Sequence, residues 1–255
     1  MGAAEIALVL AAGFGAGILS SSVGVASLLS FPILLAVGLP PVVANTTNTV
    51  GLIPAGAGGV VGYREELRQV RGLAVRVVVL TGLAGSIGAA LLLGLPSSVF
   101  EWVAPWLILG TCLLVGVQPR ISRWLAARHP EGENRPARVR LSPLTTVFVV
   151  LTGVYGGYFG AGAGVMMIAV LAIGLDIDLR IIGALRTTSV MASNVVAGAV
   201  FVVVADIDWA VVALLAVGSI FGGYVGARIA RRMPAPLLRA GVVAAGIVAA
   251  ITLWT

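Results

Sequence analysis

Eight apolar runs separated by short polar connections take up most of the chain: 5–38, 42–62, 74–94, 99–118, 143–175, 180–204, 208–230 and 237–255. A helix that crosses a hydrocarbon core of about 30 Å needs about 20 residues. Six of the runs are near that length and are read as full spans. The other two, 5–38 and 143–175, are too long for one crossing, since 143–175 alone would reach roughly 50 Å at 1.5 Å per residue. Their centres are poor helix. Gly156 to Gly164 reads Gly-Gly-Tyr-Phe-Gly-Ala-Gly-Ala-Gly, and the first run holds Ser20, Ser21, Ser22, Val23 and Gly24 at the matching place. Glycine weakens a helix and frees the backbone direction. Each long run is therefore expected to form two short helices meeting at a tip, either re-entering or crossing twice.

The runs repeat. A shift of 140 carries Gly13 to Gly153, Gly17 to Gly157, Gly24 to Gly164, Ala44 to Ala184, Thr47 to Thr187 and Gly58 to Gly198. A shift of 138 carries Gly85 to Gly223, Gly88 to Gly226 and Pro96 to Pro234. The order of these blocks divides the chain into a first transmembrane repeat, 1–118, a basic linker, 119–142, and a second repeat, 143–255. The expected fold is an all-α polytopic membrane protein of two repeats, each a broken helix pair followed by three transmembrane helices.

Charge sets the orientation. Fourteen of the 16 Arg lie in the connections 63–76, 119–142 and 228–239, which should be cytoplasmic. The connections at 95–101 and 205–208 hold Glu101, Asp206 and Asp208 without Arg and should face outward. With each broken pair making no net crossing, or two, both termini fall outside. The end of 42–62 then lies inside and the end of 180–204 outside, which makes the repeats inverted.

Composition narrows the class. The chain is 59% hydrophobic and 10% charged, far from the roughly 25% charged residues of soluble domains. Its net charge of +6 is accounted for by arginines in short loops, so nucleic acid is not an expected partner. No Lys or Arg precedes the first apolar run, and no removed signal peptide is expected. Cys112 is single and within an apolar run, and His129 is single and in a polar loop, so neither a disulfide framework nor a metal site is expected. An enzyme would need a base with a nucleophile, or metal ligands, and the apolar runs contain no His, acidic pair or second Cys. No cofactor is expected.

The candidate chemistry gathers around the breaks. Non-helical backbone at membrane depth is tolerated only when buried in protein or lining a polar cavity. Helix N-termini leaving such tips present N–H groups suited to a small anion, although glycines also serve close helix packing. A polar cluster follows each broken pair: Asn45, Thr46, Thr47, Asn48 and Thr49 in the first half; Arg186, Thr187, Thr188 and Ser189 with Ser193 and Asn194 in the second. Arg186 is the basic residue that clearly enters an apolar run, a position that marks either a functional site or a side chain snorkelling to the interface. The candidate substrate-binding residues are Ser20, Ser22, Asn45, Thr46, Thr47, Asn48, Gly160, Gly162, Arg186, Thr187, Thr188, Ser189 and Asn194. Asp176 and Asp178, just after the second pair, read as a solvated turn or as coupling groups.

Gly13 to Gly24 with Phe31 and Pro32, then Gly38-Leu-Pro-Pro and Ala44-x-x-Thr47, resemble the TauE/SafE sulfite exporter family. So do Gly153 to Gly164, Ala184-x-x-Thr187 and the stretch from Gly222 through Gly226 to Pro234. The resemblance covers nearly the whole chain. It implies a secondary transporter in the cell (inner) membrane that exports sulfite, sulfoacetate or related organosulfur anions. The expected partners are a small anionic substrate and the lipid bilayer, and a homodimer is compatible with the chain. An anion channel, or a carrier of other small organic anions, would share these features.

Overall fold

The computed structural model describes residues 1–22, 24–128, 140–229 and 235–253, all helix and short connections. In chain order the helices are α1 (Ala3–Ser22), α2 (Ser27–Ala36), α3 (Pro41–Gly51), α4 (Ile53–Gly62), α5 (Arg64–Gln69), α6 (Arg71–Gly94), α7 (Ser97–Arg128), α8 (Pro143–Tyr158), α9 (Ala163–Gly174), α10 (Leu179–Val204), α11 (Trp209–Ile229) and α12 (Ala235–Thr252). Four stretches among the described residues are long and apolar enough to cross a membrane: Ala3–Ser20, Arg71–Gly94, Ser97–Ile121 and Leu179–Val204.

Both long runs are broken at their tips. However, α1, expected as a short helix, is 20 residues, and its stretch Ala3–Ser20 is long enough to cross by itself because the break comes only after Ser22. Gly24, at φ 79°, closes α1 with its N–H on the Leu19 carbonyl at 2.7 Å. Gly160, at φ 78°, closes α8 in the same way on Tyr155 at 3.0 Å. Only glycine takes this left-handed turn without strain. The helices then restart after four residues each, with Gly162 (φ 78°) as the N-cap of α9. The second tip comes one helical turn earlier than the 140-residue shift predicts, because the denser glycine run ends α8 at Tyr158. Other ends follow local chemistry. Pro41 and Pro143 open α3 and α8. The Ser142 hydroxyl accepts from the Thr145 N–H at 3.1 Å, and the Asp178 carboxylate accepts from the Arg180 N–H at 2.6 Å.

Two expectations are corrected. The span expected at 42–62 is two helices, α3 and α4, kinked at Leu52, because Pro54 has no N–H to continue the ladder. Its counterpart 180–204 is the unbroken α10. The linker expected to start at 119 starts later, since α7 continues as helix through Pro119 to Arg128. The rest of that loop, 129–139 with His129, lies outside the described residues, as do Arg231 and Arg232.

Packing exchanges partners between the halves. α1 lies along α11 and α8 along α6; α2 meets α12 and α9 meets α7; α3 and α4 pack on α11 and α10 on α6. Glycines set the closeness of the two most extensive pairs. A Cβ at Gly17 or Gly222 would fall on the opposing backbone of α11 or α1, and one at Gly88 or Gly157 on that of α8 or α6. Each half is thus built into the other. The larger apolar core includes Phe31, Phe100, Phe159 and Phe201, and a second gathers Val77, Met167, Leu171 and Leu185.

Candidate functional site

The two tips meet at one small cavity of about 80 Å³. Ser20, Gly24 and Ser27 line it from the first broken pair, Gly160, Gly162 and Gly164 from the second, and Gly56 from α4. α10 adds Arg186, Thr187, Val190, Met191 and Asn194. None of the lining residues is acidic. A water occupies about 30 Å³ in the liquid, so the space suits a few waters or one small solute.

Arg186 sits on the eighth residue of α10 and reaches across to the first tip. A Cβ at Gly24 would stand 2.8–2.9 Å from its guanidinium carbon and terminal nitrogens, so the side chain packs flat against backbone that only glycine can offer. Gly164 brackets it from the other tip, where a Cβ would lie 3.8 Å from its Cδ and Nε and 3.0 Å from the Gly24 carbonyl oxygen. Arg186 makes no hydrogen bond and no ion pair among the described residues, where the N-terminal ammonium pairs instead with Glu5 at 4.0 Å. A half-buried cation with no acidic partner among the described residues is costly, and an anion in the cavity would supply one. α2 and α9 both begin at the cavity, with Ser27 and Gly164 in their first turns. Their N-terminal N–H groups add partial positive charge there.

The second tip is fastened from outside. The Tyr155 hydroxyl donates to the Ala161 carbonyl at 2.5 Å, and the Thr111 hydroxyl of α7 stands 3.1 Å from that same oxygen. Thr111 is also 3.1 Å from the Tyr155 hydroxyl and 2.8 Å from the Leu107 carbonyl.

The expected site residues separate into two groups. Ser20, Gly160, Gly162, Arg186, Thr187 and Asn194 come together around the cavity. Thr188 and Ser189 turn back onto the carbonyls of Ala184 and Leu185 in their own helix. The first-half cluster is buried and ties elements together. Asn45 donates to the Tyr158 carbonyl at 2.9 Å, Thr46 to the Asp206 carbonyl at 3.1 Å, Thr47 accepts from the Asp208 N–H at 3.1 Å, and Asn48 accepts from Ser30 at 2.5 Å. The Ser22 side chain lies outside the described residues. Ser27, Gly56 and Met191 line the cavity without having been singled out from the sequence. Ser27 could have been found by counting past the break; Gly56 and Met191 carry no such signal.

Residues 9–253 match the family described as "Sulfite exporter TauE/SafE". The chain is 28% identical to a probable membrane transporter protein, ORF9, of Sinorhizobium sp, over 97% of this chain and 92% of that one. It is 25% identical to a probable membrane transporter protein of Haemophilus influenzae, over 93% of this chain and 90% of that one. No solved structure matches the chain.

Proposed function

The chain belongs to the sulfite exporter TauE/SafE family, and from that premise we propose that it is a secondary transporter of small sulfur-containing anions, binding them at the cavity between its tips. Sulfite, sulfoacetate and related organosulfonates are the proposed cargo, carried outward across the inner membrane. The observation that carries this reading is the unpaired Arg186 guanidinium at the point where both broken helix pairs end. Its planar fork matches two oxygens of a sulfite or sulfonate, and the surrounding donors are neutral, so the anion is held without being trapped by several fixed charges.

In this reading the halves are inverted copies, with the arginine-rich connections inside and the Glu101 and Asp206 turns outside. Inverted halves have two equivalent closures around one central site, and rocking between them exposes the anion to either side in turn. The matched packing of α1 on α11 and α8 on α6 supports two related halves.

The test is sulfite flux in proteoliposomes, with counterflow to separate a carrier from a pore. Wild type should saturate and show counterflow. Arg186→Leu should bind and move sulfite at least about ten-fold less well, as expected for loss of a hydrogen-bonded charge, with the same amount of protein in the membrane. Unaltered transport by Arg186→Leu would refute the site.

A further inference from the structure

We propose that Tyr155 and Thr111 are positioning residues that aim the second tip at the bound anion, an inference that rests on the anion site proposed above. The peptide unit joining Ala161 to Gly162 is planar, so its carbonyl and its N–H point in opposite directions. Both hydroxyls hold the Ala161 carbonyl on the α7 side. The Gly162 N–H of the same peptide is thereby turned away from α7, on the side where Gly162 lines the cavity. Gly162 N–H has no acceptor among the described residues, and neither does that of Gly164, the next donor along α9. The left-handed Gly162 cap leaves these groups available to a ligand, and the two hydroxyls fix where they aim.

Space around the clamp is tight. Thr111 is buried, and a Cβ at Gly162 would stand 2.7 Å from its Cγ2. Thr111 has one proton and three neighbours, the Leu107 carbonyl, the Ala161 carbonyl and the Tyr155 oxygen. Tyr155 is therefore the firm donor to Ala161, and Thr111 can supply a second bond when Tyr155 is removed. Among the described residues the first half shows no such clamp: Leu19 closes α1 as Tyr155 closes α8, and the 138-residue shift sets Ala249 at the sequence position of Thr111. The clamp makes the second tip the fixed wall of the site.

The experiment compares KM and maximal rate for sulfite in proteoliposomes, per unit of protein inserted. Tyr155→Phe should raise KM about five-fold, the effect of one lost hydrogen bond of ordinary strength. Thr111→Val combined with Tyr155→Phe should raise it further, past about ten-fold, because the carbonyl then has no donor. In the Tyr155→Phe background, Thr111→Ser, which keeps the hydroxyl, should hold KM at the level of Tyr155→Phe alone, below that of the Thr111→Val double variant. A role in folding alone predicts a lower rate at unchanged KM, and that result overturns the inference, as does a wild-type KM in the double variant while Arg186→Leu is impaired. If Arg186→Leu itself transports normally, the site and this inference fall together.

Discussion

Arg186 was legible in the sequence because a charge inside an apolar run is expensive anywhere else, and the fold places its guanidinium between Gly24 and Gly164. Thr188 and Ser189 lie close behind it yet on other faces of α10, and their hydroxyls bond back to their own helix, as the Thr187 hydroxyl does to the Gly183 carbonyl. Spacing alone could not separate them from Thr187 and Asn194, since which face meets the cavity is decided by packing against the tips. The Asn194 amide lines the cavity and bonds to none of the described residues. Asn194→Ala should therefore weaken sulfite binding several-fold, and Thr188→Val should leave it near wild type. Titration calorimetry of both purified variants checks this; equal effects would mean that the lining described here is not the binding surface.

At the level of elements, the broken pairs were readable because an apolar run too long for the bilayer, with glycines in its middle, has few other solutions. The one-turn difference between the tips was not, because it depends on Gly160 and Gly162 taking positive φ while Gly156 and Gly157 stay helical. The kink at Leu52 was written in Pro54 but hidden by an otherwise continuous apolar run. Glycine in α6, α8, α1 and α11 is chiefly a matter of approach: the Cβ of Gly157→Ala would fall on the Gly85 carbonyl oxygen. Overpacking of this kind costs about 1–3 kcal/mol, whereas Gly110, with nothing within 4 Å, can gain a methyl freely. Gly157→Ala should lower the unfolding temperature in detergent and Gly110→Ala should not. A neutral Gly157→Ala would show that α6 and α8 are not in backbone contact.

For the whole molecule, the all-helical membrane class was evident from composition. The exchanged packing was not, since it joins residues such as Gly17 and Gly222 that no local pattern relates. The buried first-half cluster shows the same limit: Thr46 and Thr47 grip the turn at Asp206 and Asp208, a contact between halves that reads locally as a binding motif. The inverted orientation proposed from the arginines has a direct check, because the single Cys112 is buried and leaves little background. Cysteine placed at Glu101 or Asp206 should react with an impermeant maleimide from outside intact cells, and cysteine at Arg64 only after permeabilisation. Labelling of all three from one side would exclude inverted halves. The account depends most on an oxyanion resting against Arg186 between the tips, and selenite, a heavier analogue of sulfite, can reveal it by the anomalous scattering of selenium in crystals of the protein. The account predicts a peak within hydrogen-bond reach of the Arg186 guanidinium, beside Gly162 and Gly164, that vanishes in Arg186→Leu. A selenium peak elsewhere in the molecule, or one that survives the substitution, would contradict it.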